Sequence, residues 1–229
     1  YGPLLASVAG RPLGLASGSR REAHGTETLF PQVVSLSAGA QSLVLQRQSG
    51  SRTALYYLNV EPLYRDLVAQ DWRVIGPFDS ISELKAPGEG LQKVYPPEVK
   101  RDFSAAVPIG EGQIARWEPL TGDSDYIDFF AKYRLYSKGI SYAVTYIHVP
   151  TARSARLSYG VDYWAKLWLN GEMVQDLSQR GYAPAKGQFK LDIRLKQGWN
   201  ELLVKVHSGS AGNGFWMAIS DPGDLRVAP

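Results

Sequence analysis

The sequence predicts an all-β protein built as an antiparallel β-sandwich. Residues 165–174 alternate apolar and polar side chains around the turn Asn170-Gly171. Residues 195–206 form a second turn-and-strand unit, whose turn contains Gly198. Alternating apolar residues around a turn that requires positive φ are the strongest short-range sign of a β-hairpin. No long amphipathic helix interrupts the strand-like segments. We therefore predict two packed antiparallel sheets.

Strand-like segments recur along the rest of the chain. Further strands are expected at residues 71–78, 141–149 and 156–159. Residues 63–70 combine helical spacing with good helix-forming residues, which predicts a short linking helix. Residues 79–125 contain Gly, Pro and charged residues without clear periodicity. We expect this segment to be a long, ordered excursion over the surface of the sandwich.

Two pairs of similar segments lie at nearly the same offset, which indicates an internal repeat. Residues 6–13 resemble residues 167–174, and residues 34–45 resemble residues 193–204. The turn glycines of the first pair are 161 positions apart, and those of the second pair are 159 positions apart.

The repeat predicts the domain organisation. Residues 1–62 would form the C-terminal half of a first sandwich whose front half lies upstream, and residues 63–70 would form the linking helix. Residues 71–229 would then form a complete second sandwich. The alternative is that residues 1–62 add strands to a single larger sandwich.

The composition argues against several classes of function. The formal net charge is only +3 and Arg20-Arg21 is the nearest approach to a basic cluster, so a nucleic-acid partner is not expected. The chain has no cysteine, and its 3 histidines are far apart in sequence, which argues against a zinc site. No apolar run approaches the ~18 residues that would span a bilayer. We expect no metal, no cofactor and no membrane span.

The sequence also lacks catalytic motifs. There is no Gly-x-Ser-x-Gly elbow, phosphate-binding loop or His-Glu-x-x-His motif, and the carboxylates are scattered. His207 and Ser208 adjoin each other, but they belong to the end of a predicted strand. We therefore expect a binding or structural module rather than an enzyme.

Aromatic and turn residues follow one another in a characteristic order between residues 70 and 222. In chain order they are Trp72, Gly76-Pro77-Phe78, Tyr95-Pro-Pro-Glu98, Trp117, Tyr142-Ala-Val-Thr-Tyr146, Trp168-Leu-Asn-Gly171 and Gly198-Trp-Asn200. This order resembles bacterial extracellular β-sandwich modules of the galactose-binding-like, jelly-roll type. Such modules resemble carbohydrate-binding modules and are often appended to secreted glycoside hydrolases. The resemblance implies a secreted protein with a saccharide partner.

One loop departs from the pattern of these modules. Relatives tend to carry Gly-Ser-Asp-Asp-Gly before the tryptophan strand, where paired acidic residues can hold calcium, whereas this chain reads Gly160-Val-Asp-Tyr-Trp164. Only Asp162 remains of the acidic pair. Because calcium prefers six to eight oxygen ligands, the lost carboxylate argues against that metal site.

Strand alternation and the resemblance together indicate which residues contact a sugar. An aromatic ring buries apolar surface against the C–H groups of a sugar, while polar neighbours bind its hydroxyls. The candidate carbohydrate-binding residues are Asp162, Tyr163, Trp164, Trp168, Asn170, Arg180, Tyr182 and Trp216. For each of them, packing within the fold is the alternative role.

Two of these tryptophans are predicted on polar strand faces. Trp168 shares its face with Lys166 and Asn170, and Trp216 also alternates with core-type residues. If their strands pair suitably, Trp168 and Trp216 would form one platform; alternatively, the excursion of residues 79–125 covers both. The remaining tryptophans considered are expected to be structural: Trp72, Trp117 and Trp199.

The function that the sequence predicts is that of a non-catalytic carbohydrate-binding module within a larger secreted protein. A structural module, which packs against neighbouring domains or assembles with copies of itself, is the rival hypothesis. A third hypothesis is an accessory region that completes the active site of an enzyme elsewhere in the parent chain.

Overall fold

A computed structural model describes residues 65–79, 89–110, 112–121, 126–134, 139–207, 212–221 and 223–229. Before residue 65 it describes the backbone of five short strands. The chain divides into two compact units, Tyr1–Leu63 and Tyr64–Pro229.

The described part of the first unit is entirely β. Its strands are β1 Leu4–Val8, β2 Arg11–Leu13, β3 Ser19–Glu22, β4 Gly25–Thr28 and β5 Leu43–Arg47. Strands β2, β1 and β5 form one antiparallel sheet in that order, and β3 pairs with β4.

The second unit contains two packed antiparallel sheets, which confirms the predicted all-β sandwich. Its strands are β6 Arg65–Val68, β7 Asp71–Phe78, β8 Val107–Gly110, β9 Gln113–Ala115, β10 Glu118–Thr121, β11 Tyr126–Asp128, β12 Ile140–Val149, β13 Arg153–Val161, β14 Trp164–Leu169, β15 Glu172–Asp176, β16 Phe189–Leu195, β17 Gly198–His207, β18 Gly214–Asp221 and β19 Arg226–Ala228. The described helices are short: α1 Glu89–Gln92, α2 Pro96–Val99 and α3 Phe129–Tyr133.

The two sheets differ in size. The larger sheet has the order β10-β7-β12-β17-β14-β15, and β19 pairs with β12 beyond the end of β7. The smaller sheet has the order β11-β18-β13-β16, and β6 pairs with residues 218–221 of β18 along the same edge as β11. Alternate residues of each sheet face the partner sheet, and they form a dry core that includes Leu167, Val204, Leu157 and Phe215.

The predicted hairpin between β14 and β15 is present. Asn170 and Gly171 have φ values of 52° and 86°, so both central residues have the positive φ that a type I′ turn requires. The Asn170 side chain donates to the Oδ1 atom of Asn200 at 2.9 Å, and Asn200 in turn bonds to the backbone of Lys196 and Gly198 in the next hairpin. The buried Asn200 thus joins the two turns that the sequence singled out.

The predicted linking helix is wrong, because residues 65–68 form the edge strand β6. Its backbone pairs with β18, where Val68 lies opposite Ala218 and Leu67 lies opposite Ile219. Leu67 packs against the core. Pairing with the otherwise open edge of β18 outweighs the helical propensity of this short segment, since propensity is worth well under ~1 kcal/mol per residue.

Of the predicted excursion, residues 89–110 and 112–117 lie over the outer face of the larger sheet, residues 118–121 form its edge strand β10, and residues 80–88 and 122–125 lie outside the described residues. We call residues 89–110 and 112–117 the covering segment. Its buried apolar residues meet the outer face of the larger sheet in a second hydrophobic cluster: Leu91, Tyr95, Val107 and Trp117 pack with Ile75, Phe78, Tyr142, Val144 and Leu203. Trp117 therefore has the structural role that was predicted, and Trp72 lies fully buried between the sheets.

The sheet of the first unit has the same strand order and register as part of the second. The order β2-β1-β5 corresponds to β15-β14-β17, and Val8 pairs with Leu43 just as Leu169 pairs with Leu202. These partners are offset by the 161 and 159 positions that the sequence predicted. The repeat itself stays a prediction, and part of it, including residues 34–42, lies outside the described residues.

Candidate functional site

Most of the predicted loop residues lie at one end of the sandwich. Strand β13 ends there and β14 begins, and the connection from β15 to β16 folds against them. Tyr163 and Tyr182 form an isolated bridge in which each backbone N–H donates to the other's carbonyl, at 3.1 and 2.9 Å. The connection from β15 to β16, residues 177–188, is called the site loop below.

Tyr163 has an unusual backbone conformation. Its φ is 76°, and a bulky residue rarely adopts positive φ because its Cβ crowds the backbone. The bridge to Tyr182 and the close approach of Gly181, whose added Cβ would lie 2.4 Å from the Tyr163 ring, hold this conformation. Conformational strain of this kind concentrates at functional positions.

Arg180 and Tyr182 lie together on the site loop. The Arg180 guanidinium is 4.7 Å from the centre of the Tyr182 ring, within cation–π distance. Tyr182 also contacts Phe189 edge-on at 4.9 Å. Arg180 is exposed and Tyr182 is half-buried, so a cation and an aromatic edge face solvent at this end of the sandwich.

Trp164 is buried, contrary to the prediction that it contacts a ligand. Its exposed fraction is 9%. Its ring contacts those of Tyr163, at 5.0 Å, and His207, at 5.3 Å, and belongs to the second hydrophobic cluster. Because both neighbours are rings of the protein itself, Trp164 plugs the end of the sandwich and offers no ring face to a sugar.

Asp162 also faces inward. Its backbone N–H donates to the Gly214 carbonyl, and its carboxylate lies against Gly212, where an added Cβ would be 1.8 Å from Oδ2. Burial raises the pKa of the Asp162 carboxyl, and the nearby charge of Asp128 raises it further. The carboxylate therefore orders the segment at residues 212–214 instead of pointing at solvent.

Trp168 and Trp216 do not form a single platform. Trp168 belongs to the larger sheet and Trp216 to the smaller sheet, and each points away from the shared core. Their faces are on opposite sides of the sandwich. Trp168 is partly covered by the second hydrophobic cluster, whereas the Asn170 side chain is engaged by Asn200 and by the Glu201 backbone.

Trp216 lines a groove on the outer face of the smaller sheet. The floor of this groove is a cross-strand row in which Ser158 and Val68 lie on either side of Ala218. Lys186 and Gly187 of the site loop line the groove as well, together with Trp216. We call this feature the Trp216 groove.

Small residues explain why the groove exists. An added Cβ at Gly160 would lie 1.9 Å from the Ala185 carbonyl oxygen and 3.2 Å from the Trp216 ring. Gly160 therefore allows both the site loop and the indole to approach β13. The Trp216 ring is fixed on its other side by Tyr126 at 4.4 Å, so it is held in place and half-buried.

The groove is shallow. Its volume is about 130 Å³, below the ~300–1,000 Å³ of pockets that enclose a drug-sized ligand. Besides the indole, it is lined by the polar side chains of Ser158 and Lys186. Such a site can recognise one face of a larger molecule.

The groove residues other than Trp216 were missed by the sequence analysis. Ser158 lies in a predicted strand, and alternation with core residues places it on the outer face, as for Trp216. That alternation was a usable signal. The approach of Lys186 and Gly187 depends on how the site loop folds, for which the sequence offered no local pattern.

The most strongly perturbed ionisable groups lie beneath the covering segment. The fully buried Lys205 amine donates to the Leu91 and Lys93 carbonyls and to Glu98, at 3.1, 2.6 and 2.7 Å. Burial lowers the pKa of Lys205 to about 8. The Tyr142 hydroxyl also donates to Glu98, and burial together with this bond raises its pKa.

Perturbed groups can indicate an active site, but this cluster has a structural explanation. Lys205 donates three hydrogen bonds and Tyr142 donates one, and all four acceptors belong to the covering segment, at Leu91, Lys93 and Glu98. The cluster fastens that segment to the larger sheet. Within the ranges that the structure describes, no three or more His, Cys, Asp or Glu side chains are grouped to hold a metal ion.

None of the described helices is both long enough and apolar enough to cross a membrane.

No protein-family model and no curated protein matches the sequence. A family 35 carbohydrate-binding module from Cellvibrio japonicus is 14% identical, with a TM-score of 0.27, over 41% of this chain and 72% of its own. A family 35 module from Clostridium thermocellum is 12% identical, with a TM-score of 0.29, over 52% of this chain and 83% of its own.

Domains of larger glycosidases also resemble the chain. A β-glucosidase from Kluyveromyces marxianus is 15% identical over 47% of this chain, with a TM-score of 0.35, and the match spans 14% of that enzyme. Carbohydrate-binding modules are among the solved structures with which the chain aligns. Because all of these TM-scores are below 0.5, function is argued below from the groove.

Proposed function

We propose that this chain is a non-catalytic carbohydrate-binding module of a larger secreted protein, and that an oligo- or polysaccharide binds in the Trp216 groove. The observation that carries the proposal is the half-buried indole of Trp216, fixed between Gly160 and Tyr126 beside a floor of small side chains. A fixed ring loses little conformational freedom when a sugar stacks against it.

The polar groups beside the indole suit a polyhydroxylated ligand. Ser158 offers a hydroxyl that both donates and accepts, and Lys186 brings a positive charge to the groove. Arg180 and Tyr182, which belong to the same site loop, extend the surface toward the end of the sandwich. A shallow groove continued by loop side chains would bind part of a long chain and leave the rest in solvent.

The proposal is tested by affinity electrophoresis of the full chain in gels that contain neutral plant or microbial polysaccharides. Trp216→Ala removes the ring, and Ala218→Leu fills the floor without removing any existing contact. Each is expected to weaken retention about tenfold, since ~50 Å² of apolar contact is worth ~1.3 kcal/mol. Ile114→Ala, an exposed residue on β9, is the matched control.

Two outcomes contradict the proposal. One is that no polysaccharide in the panel retards the wild-type chain. The other is that a polysaccharide retards the wild type and Ala218→Leu equally, which would place the ligand elsewhere.

A structural role is the second candidate function. It is supported by the matched strand order and register in the two units, as in proteins built from stacked similar modules. Under this hypothesis the module spaces or packs neighbouring domains of the parent chain. Sedimentation of the full chain would then show self-association that Ala218→Leu leaves unchanged.

A further inference from the structure

A row of three side chains crosses the outer face of the larger sheet, at the end of the sheet where β17 begins. Trp199 on β17 pairs directly with His148 on β12, and His148 pairs directly with Arg226 on β19. Directly paired residues point to the same face. Since neighbouring strands are ~4.8 Å apart, the row extends about 10 Å. We call it the Trp199 row.

Trp199 was expected to have a structural role, but much of its side chain is exposed. It is 48% exposed, and it is the only tryptophan among the large exposed apolar side chains of the described residues. Its ring contacts the His148 ring edge-on at 5.0 Å, with 64° between the planes. His148 therefore orients the indole while much of its surface faces solvent.

The covering segment stops immediately beside this row. In the adjacent row of the same sheet, Tyr146 contacts Phe103 at 6.4 Å and donates to Glu201 at 3.3 Å, and Arg101 forms an ion pair with Glu201. The cover thus reaches the Tyr146–Glu201 row, and the Trp199 row is the next one along the strands.

The charges beside the indole favour an anion. The Glu201 carboxylate is neutralised by Arg101 and bonded by Tyr146. Arg226 is exposed and has no hydrogen-bonded or ion-paired partner within the described ranges. A free guanidinium can bind a carboxylate or sulfate through two parallel hydrogen bonds. The row therefore presents a stacking surface at one end and an anion-binding group at the other.

We propose that the Trp199 row is a second binding surface, which takes a polysaccharide bearing anionic groups: a sugar ring stacks on Trp199 and its anionic substituent, or that of the next sugar, pairs with Arg226. This surface lies on the opposite side of the sandwich from the Trp216 groove, so it stands independently of the function proposed for that groove. Anionic charge is the shared chemistry of uronate and sulfated polymers.

The test measures retention of the full chain in gels containing polygalacturonate, dextran sulfate or neutral dextran. Trp199→Ala is expected to weaken retention by an anionic polymer about tenfold, and Arg226→Gln about fivefold. Neither change should alter binding to a neutral polysaccharide. An effect confined to polygalacturonate identifies carboxylate as the anion, and one confined to dextran sulfate identifies sulfate. Ile114→Ala controls for loss of an exposed apolar side chain.

The outcomes separate this surface from the Trp216 groove. If Ala218→Leu abolishes neutral binding while Trp199→Ala weakens anionic binding, both sites stand. Equal retention of wild type, Trp199→Ala and Arg226→Gln by both anionic polymers overturns the second surface and leaves the groove untouched. Sedimentation that shows a wild-type dimer dissociated by Trp199→Ala would also overturn it, since the row would then be an interface between copies.

Discussion

At the residue scale, burial separates tryptophans that look alike in sequence. Trp164 and Trp199 each sit beside a turn or loop, yet the first is 9% exposed and the second 48%. Trp164 contacts the rings of Tyr163 and His207 and belongs to the cluster that the covering segment completes, whereas Trp199 lies beyond that segment. Strand alternation predicted which faces Trp168 and Trp216 occupy, but whether a tryptophan is covered depends on contacts distant in sequence.

Trp164→Ala is expected to lower the free energy of unfolding by about 3–5 kcal/mol, because a large buried ring is replaced by a cavity. Denaturation in urea measures the change. Trp199→Ala is the matched control, and it should alter stability by about 0.5 kcal/mol or less, as is usual for exposed positions. Similar losses for the two variants would contradict the burial described for Trp164.

His207 makes the free energy of unfolding depend on pH. Burial lowers its pKa from 6.5 to about 4, and the charge of Lys205 adds to this effect. Its Nδ1 atom is buried without a hydrogen-bond partner in the described part of the chain. Because the unfolded chain binds a proton more readily than the folded chain, stability is complete above pH 6.5 and falls toward pH 4.

His207→Gln should therefore flatten the stability profile between pH 6.5 and pH 4. The wild type is expected to lose up to about 3 kcal/mol over this interval from this group alone. Urea denaturation at several pH values measures the profile. Parallel profiles for wild type and variant would show that His207 does not titrate differently in the folded state.

At the element scale, the turns were predicted well because their chemistry is local. Asn170-Gly171 is a pair that tolerates positive φ, and its position between alternating strands defined the hairpin. Strand β6 was mistaken for a helix because its helical spacing is equally local, whereas its partner β18 lies some 150 positions later in the chain. Non-local pairing is what single-segment reasoning cannot supply.

Gly171→Val is expected to destabilise the protein by about 1–2 kcal/mol through backbone strain. The added Cβ meets nothing within 4 Å, so steric contact contributes little. Gly171→Asn is the control, since Asn accepts positive φ, and it should be close to wild type in thermal denaturation. Equal stability of the valine and asparagine variants would contradict the positive-φ turn.

Lys205→Met tests how the covering segment is held. It leaves the partly buried Glu98 without its cation, which should cost about 3 kcal/mol, and proteolysis within residues 89–110 should become faster. Removing both charges, in Lys205→Met with Glu98→Gln, should recover part of the loss. If the double variant is no more stable than Lys205→Met, the ion pair between Lys205 and Glu98 is not what holds the covering segment to the sheet.

At the scale of the whole molecule, the two candidate binding surfaces lie on the outer faces of different sheets. The outer face of the larger sheet is covered near the loop end and open at the Trp199 row, while the outer face of the smaller sheet carries the Trp216 groove. The all-β class followed from strand periodicity. The site did not, because Trp216, Ser158 and Lys186 meet only after β13, β18 and the site loop have packed.

Hydrogen–deuterium exchange of the full chain, with and without a neutral polysaccharide that retards it, tests the central claim most directly. A ligand in the Trp216 groove should slow exchange in the site loop and in the segment of β18 around Trp216. Exchange on the larger sheet should stay the same with this ligand. Protection confined to other segments, or none at a saturating concentration, would contradict the account.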